Sequence, residues 1–138
     1  MLVYLSLGAN LGNREQTIRS AIDQLGREAG QVTACSSFFY SEPWGFRSEH
    51  AFCNCCIALR TSLSPIDLLH YTQYIERTHG RAHKSTDGTY HDRTLDIDLI
   101  LAYDDEGREI RLSSEELTLP HPLWTQRDFV KKPLAEIR

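Results

Sequence analysis

The sequence lacks a long apolar run, since none of its apolar stretches comes close to the length that crosses a bilayer. Its start, MLVYLSLGAN, has neither a basic leader nor a long apolar segment, so we expect no secretory signal, no membrane association and a cytoplasmic location. Repeats, low-complexity tracts and linkers are also missing. With 138 residues, 41% hydrophobic and 25% charged, the chain is predicted to form one domain over residues 1–138.

Positive charge is in deficit, because 15 Lys and Arg residues stand against 19 Asp and Glu residues. A net charge of -4 argues against a nucleic-acid binder whose affinity depends on neutralising phosphates. The segment from Arg77 to Arg93 departs from this balance, with four Lys or Arg and three His residues against two Asp residues. A basic segment in an acidic chain indicates a small anionic ligand, although a solvated loop would have the same composition.

The cysteines lack the spacing of a structural zinc site, because the CNCC segment has no second pair to complete four ligands. We interpret them as small apolar strand residues in a reducing compartment. The glycines of GANLGN, Gly8 and Gly12, match neither of the common phosphate-binding glycine motifs. That segment is therefore predicted to be a strand-to-helix turn.

Hydrophobic periodicity predicts strands over residues 2–8, 31–41, 51–61 and 92–101. A first helix is expected to begin at the cap Asn13 and to end at Gly26 and Gly30. A second helix is expected to begin at the cap Ser64 and to end at Gly80. The order strand, helix, strand, strand, helix, strand is typical of a ferredoxin-like α+β fold with a βαββαβ core.

The stretch DRTLDIDLIL, residues 92–101, carries two acids on one face of its strand. Alternation places Asp96 and Asp98 on one side, while Leu95, Ile97, Leu99 and Leu101 point to the other. Carboxylates about 6 to 7 Å apart repel each other, and Mg²⁺ is the hard cation that oxygen ligands prefer. A solvated acidic face paired with Arg and Lys is the simpler alternative for such a triplet.

Two prolines bracket His121 in LPHPLWTQRDFVKKPL and fix the backbone around it. In the predicted fold the helices cover one face of the sheet, which leaves the other face free for a site. We expect this segment to be a rigid loop that brings His121, Trp124, Arg127 and Phe129 over that free face.

Five ordered segments span essentially the whole chain: SSFFYS with EPWG, FCNCCIAL, TQYIERTHGR, RTLDIDLIL after the basic segment, and LPHPLWTQRDF. Together they resemble the 6-hydroxymethyl-7,8-dihydropterin pyrophosphokinase family. The resemblance implies a ferredoxin-like, three-layer α/β/α sandwich with an antiparallel sheet. It also implies transfer of an intact pyrophosphoryl group from ATP to the hydroxymethyl oxygen of the pterin, which leaves AMP.

The resemblance further implies a role for individual residues. Asp96 and Asp98 would hold two Mg²⁺ ions bound with ATP, and the implied catalytic set is Arg81, Lys84, Arg93, Asp96 and Asp98. The implied pterin-binding set is Ser41, Glu42, Trp44, Phe52, Asn54 and Phe129. The implied ATP-binding set is Gln73, Glu76, Arg81, Lys84, Arg93, His121 and Arg127.

Two other function classes use the same features. A two-metal phosphohydrolase would also need Asp96 and Asp98, although the sequence offers no further acidic cluster to position a nucleophilic water. A noncatalytic ferredoxin-like sensor would bind a metabolite with the basic segment and the aromatic residues. For every class we expect small-molecule ligands and a monomer.

Overall fold

The structure is a computed structural model, and it describes residues 1–41, 51–79 and 94–138. The order of elements is β1 (Leu2–Ala9), α1 (Arg14–Glu28), β2 (Gln31–Cys35), β3 (Phe39–Ser41), β4 (Phe52–Arg60), α2 (Pro65–Thr78), β5 (Asp96–Tyr103), β6 (Leu112–Ser113), β7 (Thr118–Leu119), a 3-10 helix (Trp124–Gln126) and α3 (Asp128–Ile137). The fold is α+β, with helices beside an antiparallel sheet. Within the described ranges no helix is long and apolar enough to cross a membrane.

Both predicted helix starts are confirmed by their caps. The Asn13 side chain accepts a hydrogen bond from the Gln16 N–H, and the Ser64 side chain accepts one from the Asp67 N–H. Each cap satisfies a backbone donor that has no partner inside its own helix. The two helices therefore begin where the sequence predicts them to begin.

The main sheet has the strand order β2-β4-β1-β5. Strand β3 also pairs with β4, over the first residues of β4, whereas β2 pairs with the last ones. All of these pairings are antiparallel. The single strand predicted over residues 31–41 is wrong, because residues 36–38 separate β2 from β3. At that break the Cys56 N–H donates to the Ser36 hydroxyl, so a side chain replaces the backbone acceptor of a regular ladder.

The sheet has a core on each of its two faces. On one face, Leu5 and Leu7 of β1 pack in a cluster with residues of α1 and α2, such as Leu25 and Ile75. On the other face, Tyr4 packs in a cluster with Val130 and Leu134 of α3 together with apolar residues of β4 and β5. Alternation along β1 therefore sends successive side chains to different helices.

The prediction of a rigid loop after His121 is wrong from Trp124 onward, because the chain forms the 3-10 helix and then α3. The loop was expected from the two prolines that bracket His121, which precede the helix, whereas Pro133 lies inside α3. The helix persists because Val130, Pro133 and Leu134 form a buried stripe against the sheet. The face that was expected to be free is thus partly covered by a helix.

The face predicted for Leu101 is also wrong, because β5 contains an irregularity. Leu99 pairs with Leu5 of β1 and Leu101 pairs with Tyr4, so Ile100 is an extra residue. Such a bulge changes which face the following side chains occupy. Leu101 consequently packs in the α3 cluster, whereas Asp96 and Asp98 precede the bulge and keep the predicted alternation.

Helix α1 does not end at Gly26 as predicted, but continues to Glu28. We expect Gly26→Ala to stabilise the protein by about 0.5 to 1 kcal/mol, because alanine loses less backbone entropy in a helix. The new methyl would lie 3.6 Å from a Val32 methyl, an ordinary contact. Urea unfolding of both proteins measures the change, and a lower midpoint in the variant would contradict the prediction.

Candidate active site

The acid pair and Asn54 lie on the same face of the sheet, on either side of Gly8. In the central strand, Gly8 pairs with Asn54 of β4 on one side and with Asp96 of β5 on the other. In the next row, Ser6 pairs with Cys56 and with Asp98. Directly paired residues point to one face of a sheet, which here is the face that carries Tyr4 and α3.

Three of the predicted pterin residues, Ser41, Phe52 and Asn54, are neighbours at one end of this face. Asn54 is 3% exposed, and its amide nitrogen donates to the Ser41 hydroxyl at 2.8 Å and to the Phe39 carbonyl at 3.0 Å. Ser41 in turn is paired with Phe52 across β3 and β4. Phe129 reaches the same face of the sheet from α3, where it packs against the α3 cluster. The amide nitrogen of Asn54 is therefore already satisfied by protein acceptors.

His121 is attached directly to the strand of the acid pair. Its backbone N–H donates to the Ile100 carbonyl at 2.9 Å, and its Nδ1 accepts from the Leu123 N–H at 3.2 Å. Burial lowers the pKa of His121, and the positive charge of Arg127 lowers it further, while Asp96 opposes both effects. The structure thus brings together three predicted site residues, His121, Arg127 and Asp96, with the imidazole held neutral near pH 7 and its Nε2 carrying the proton.

The lowered pKa of His121 predicts a pH dependence of stability. Below the unfolded pKa of about 6.5, the unfolded chain binds a proton that the folded protein resists, so stability falls as the pH drops below that value. We expect the wild type to lose more unfolding free energy than His121→Asn between pH 7.5 and pH 5.5, since Asn keeps an acceptor for Leu123 N–H. Urea unfolding across this range measures the difference, and equal losses in the two proteins would contradict it.

A cavity of about 270 Å³ lies beside β5, and both Asp98 and His121 line it. Its lining consists of Leu69, Ile97, Asp98, Leu99, Glu116, Leu117, Thr118, His121 and Pro122. Sequence reasoning assigned no site role to Leu69, Glu116 or Thr118. No local pattern marks them, because the cavity is lined by residues that lie far apart in the sequence.

The two predicted nucleotide residues of α2 lie in different surroundings. Gln73 is exposed, whereas Glu76 is 4% exposed. The Glu76 Oε2 accepts a hydrogen bond from the Ile97 N–H at 2.7 Å. Ile97 lies between Asp96 and Asp98 in β5. Glu76 is therefore bonded to the backbone between the two acids, at the outer edge of the strand.

Five predicted site residues lie outside the described residues: Glu42, Trp44, Arg81, Lys84 and Arg93. Within the described residues, no three His, Cys, Asp or Glu side chains group closely enough to hold a metal ion. In that part of the chain the acid pair of β5 therefore has no third such side chain close enough to form a ligand group with it. Mg²⁺ is commonly bound by one or two carboxylates that are completed by substrate phosphates.

Comparison with known proteins identifies the family. A family model for 7,8-dihydro-6-hydroxymethylpterin-pyrophosphokinase (HPPK) matches residues 4–138. The chain belongs to the HPPK family. It is 47% identical over 136 residues to the 2-amino-4-hydroxy-6-hydroxymethyldihydropteridine pyrophosphokinase of Porphyromonas gingivalis, a match that covers 99% of this chain and 90% of the relative. It is 38% identical over 137 residues to the enzyme of that name from Bacillus subtilis, covering 99% of this chain and 77% of the relative.

Membership of the HPPK family selects among the three function classes that the sequence left open. The chain is an ATP-dependent pyrophosphokinase, a transferase that moves pyrophosphate from ATP to hydroxymethyldihydropterin in folate synthesis. Among the matched proteins is also a folic acid synthesis protein of Pneumocystis carinii, 38% identical over 135 residues, which cover 98% of this chain and 17% of that protein. The resemblance read from the sequence is therefore confirmed.

Proposed function

We propose that the pyrophosphoryl transfer takes place on the α3 face of the sheet, in front of Asp96 and Asp98 of β5. The observation that carries this proposal is the row Asn54–Gly8–Asp96 across three neighbouring strands. A polar amide stands at one end of the row and a carboxylate at the other. Such a row suits a bisubstrate reaction in which a heterocycle and a charged phosphate chain meet.

Asp96 and Asp98 are proposed to hold two Mg²⁺ ions together with ATP. The donor set fits this ion, because both side chains offer hard oxygen ligands, are half-buried and point to one face of β5. Bound Mg²⁺ would supply neutralisation of the charge on the triphosphate. The backbone bonds of Glu76 and His121 to β5 support this role, since they fix the strand from which the carboxylates project.

The pterin is proposed to bind at the β3–β4 end of the face. Phe52 and Phe129 would contact its two ring faces, and Asn54 would read its polar edge. The Asn54 nitrogen already donates to Ser41 and Phe39, so the amide oxygen is the group left to meet the ligand. Backbone groups of Ser41, Glu42 and Trp44 would complete this edge.

ATP is proposed to bind on the β5 side, where the cavity joins Asp98 to His121. His121 would donate from Nε2 to a phosphate oxygen, and Arg127 would add a planar donor fork. Gln73 and Glu76 of α2 are proposed to lie toward the nucleoside, and Arg81, Lys84 and Arg93 toward the triphosphate.

The chemistry is a displacement at the β-phosphorus of ATP. The hydroxymethyl oxygen forms the new bond to this phosphorus, the bond from the β-phosphorus to the oxygen that bridges it to the α-phosphorus breaks, and AMP leaves. Positioning and charge neutralisation dominate phosphoryl transfer in general, so the cationic side chains and the fixed strand are the contributions we assign to this protein. The proton of the hydroxymethyl group would pass to water.

We propose that residues 1–138 form one domain of the ferredoxin-like class, with the three layers α/β/α. The strand order β2-β4-β1-β5, the antiparallel pairings and the helices packed on both faces support this assignment. A monomer in the cytoplasm is the assembly and location that we propose for this domain.

Phosphorus NMR of the purified protein with Mg²⁺, ATP and 6-hydroxymethyl-7,8-dihydropterin tests the proposed reaction. We expect AMP and a new pyrophosphate ester that form only when the pterin is present and only when Mg²⁺ is present. ADP with inorganic phosphate would instead support the hydrolase class. Pterin binding without turnover in a folded sample would support the sensor class.

A further inference from the structure

Gly8 occupies the centre of the proposed site, yet its backbone does not require glycine. Among the described residues only Gly12 and Gly107 have a positive φ, so Gly8 adopts a conformation open to any residue. The constraint at this position is space. A Cβ at Gly8 would lie 3.0 Å from the Asn54 Oδ1 and 3.6 Å from the Phe52 Cδ1.

The Asn54 amide has little freedom to move away from such a methyl group. Its nitrogen donates to Ser41 at 2.8 Å and to Phe39 at 3.0 Å, and both acceptors belong to β3. Turning the amide oxygen away from Gly8 would break at least one of these bonds. Because Asn54 is 3% exposed, the broken bond would not be replaced freely by water.

Gly8 also lies between the two ends of the proposed site. Neighbouring strands are about 4.8 Å apart, so Asn54 and Asp96 are separated by roughly 10 Å across Gly8. A flat bicyclic heterocycle with a one-carbon arm has a comparable length. Its polar edge at Asn54 would thus bring its hydroxymethyl oxygen toward Asp96, provided that nothing rises from the strand between them.

We propose that Gly8 is a specificity-determining residue for the pterin. Its missing side chain keeps the Asn54 oxygen directed along the sheet and leaves the strand between Asn54 and Asp96 clear of side-chain atoms. This inference rests on the proposed pterin position and gives a role to Gly8, which the sequence analysis placed at the end of the first strand and the start of the turn after it. The ATP side of the site is not expected to depend on Gly8, because the cavity beside β5 is lined by other residues.

Gly8→Ala tests the proposal by comparing the two substrates. We expect the pterin Kd, measured by calorimetry with a nonhydrolysable ATP analogue present, to rise at least about tenfold, as one added carbon in a fitted pocket does. The Kd of Mg-ATP without pterin should stay within about twofold of the wild type. Gly26→Ala is the matched control, since it adds the same methyl group away from the site and should leave both constants unchanged.

A double-mutant cycle with Asn54→Ala separates this role from a general loss of structure. If the methyl group acts through the Asn54 amide, adding Gly8→Ala to Asn54→Ala should change the pterin Kd by less than about threefold. The double variant should also fold even if Gly8→Ala alone does not, because the crowded oxygen is gone. An unchanged pterin Kd in Gly8→Ala, equal losses for both substrates, or a double variant that fails to fold would each overturn the proposal.

The Asn54→Ala variant separates the test of Gly8 from the test of the proposed pterin position. If the wild type does not bind the pterin near Asn54, Asn54→Ala alone will leave the pterin Kd unchanged, and the proposed pterin position fails. If Asn54→Ala weakens pterin binding but Gly8→Ala does not, only the inference about Gly8 fails.

Discussion

Asp96→Asn and Asp98→Asn are each expected to lower kcat by at least about 10²-fold, because each removes a charge from the acid pair that is proposed to hold Mg²⁺. Asn preserves the size of the side chain, so packing on the α3 face should change little. Mg²⁺-dependent ATP binding should weaken in both variants, since phosphates complete the coordination of an ion held by few protein ligands. AMP release in the presence of pterin, together with calorimetry of Mg-ATP binding, measures both effects.

Asp23→Asn is the control for these two variants. Asp23 is an exposed carboxylate of α1, a helix that packs against the opposite face of the sheet. The Asp23→Asn variant should keep wild-type turnover. This result would show that a loss of turnover in the site variants does not come from the change in net charge. Turnover within a few-fold of the wild type in both site variants would rule out the acid pair as the metal site.

The sequence predicted those parts of the fold that depend on local interactions. The caps Asn13 and Ser64 act on donors three residues away, so a short window of sequence is enough to find them. Long-range interactions decided the parts that were missed. The bulge that turns Leu101 depends on its pairing with Tyr4, and α3 persists around Pro133 because of the sheet beneath it.

The candidate site likewise contains residues that a local pattern predicts and residues that only long-range contacts reveal. The alternation of β5 was enough to place Asp96 and Asp98 on one face, and the family resemblance supplied the roles proposed for the other residues. The bond from Ile97 N–H to Glu76 joins residues 21 positions apart and has no local signature. A buried carboxylate of this kind is visible only once α2 and β5 lie side by side.

Glu76→Ala is expected to lower the free energy of unfolding by about 1 to 3 kcal/mol, because the buried Ile97 N–H loses its acceptor. The Glu76 side chain is 4% exposed and accepts this bond at 2.7 Å, at the short end of the range for an N–H···O hydrogen bond. Glu76→Gln should cost less, since its amide oxygen can still accept from Ile97. If the bond also fixes the direction of Asp96 and Asp98, kcat should fall in the order wild type, Gln variant, Ala variant.

Gln73→Ala, on the same helix, is expected to affect ATP binding and not stability, in contrast to Glu76→Ala. Gln73 is exposed and one turn before Glu76, so its loss should leave the unfolding free energy unchanged while it raises the Kd of Mg-ATP if Gln73 contacts the nucleoside. The resemblance implies the same role for both residues, whereas in the structure Glu76 is buried and bonded to β5 and Gln73 is exposed. Urea unfolding and ATP calorimetry of the three variants separate the roles. A Glu76→Ala protein that is as stable as the wild type but binds ATP more weakly would make Glu76 a nucleotide contact and not a support for the strand.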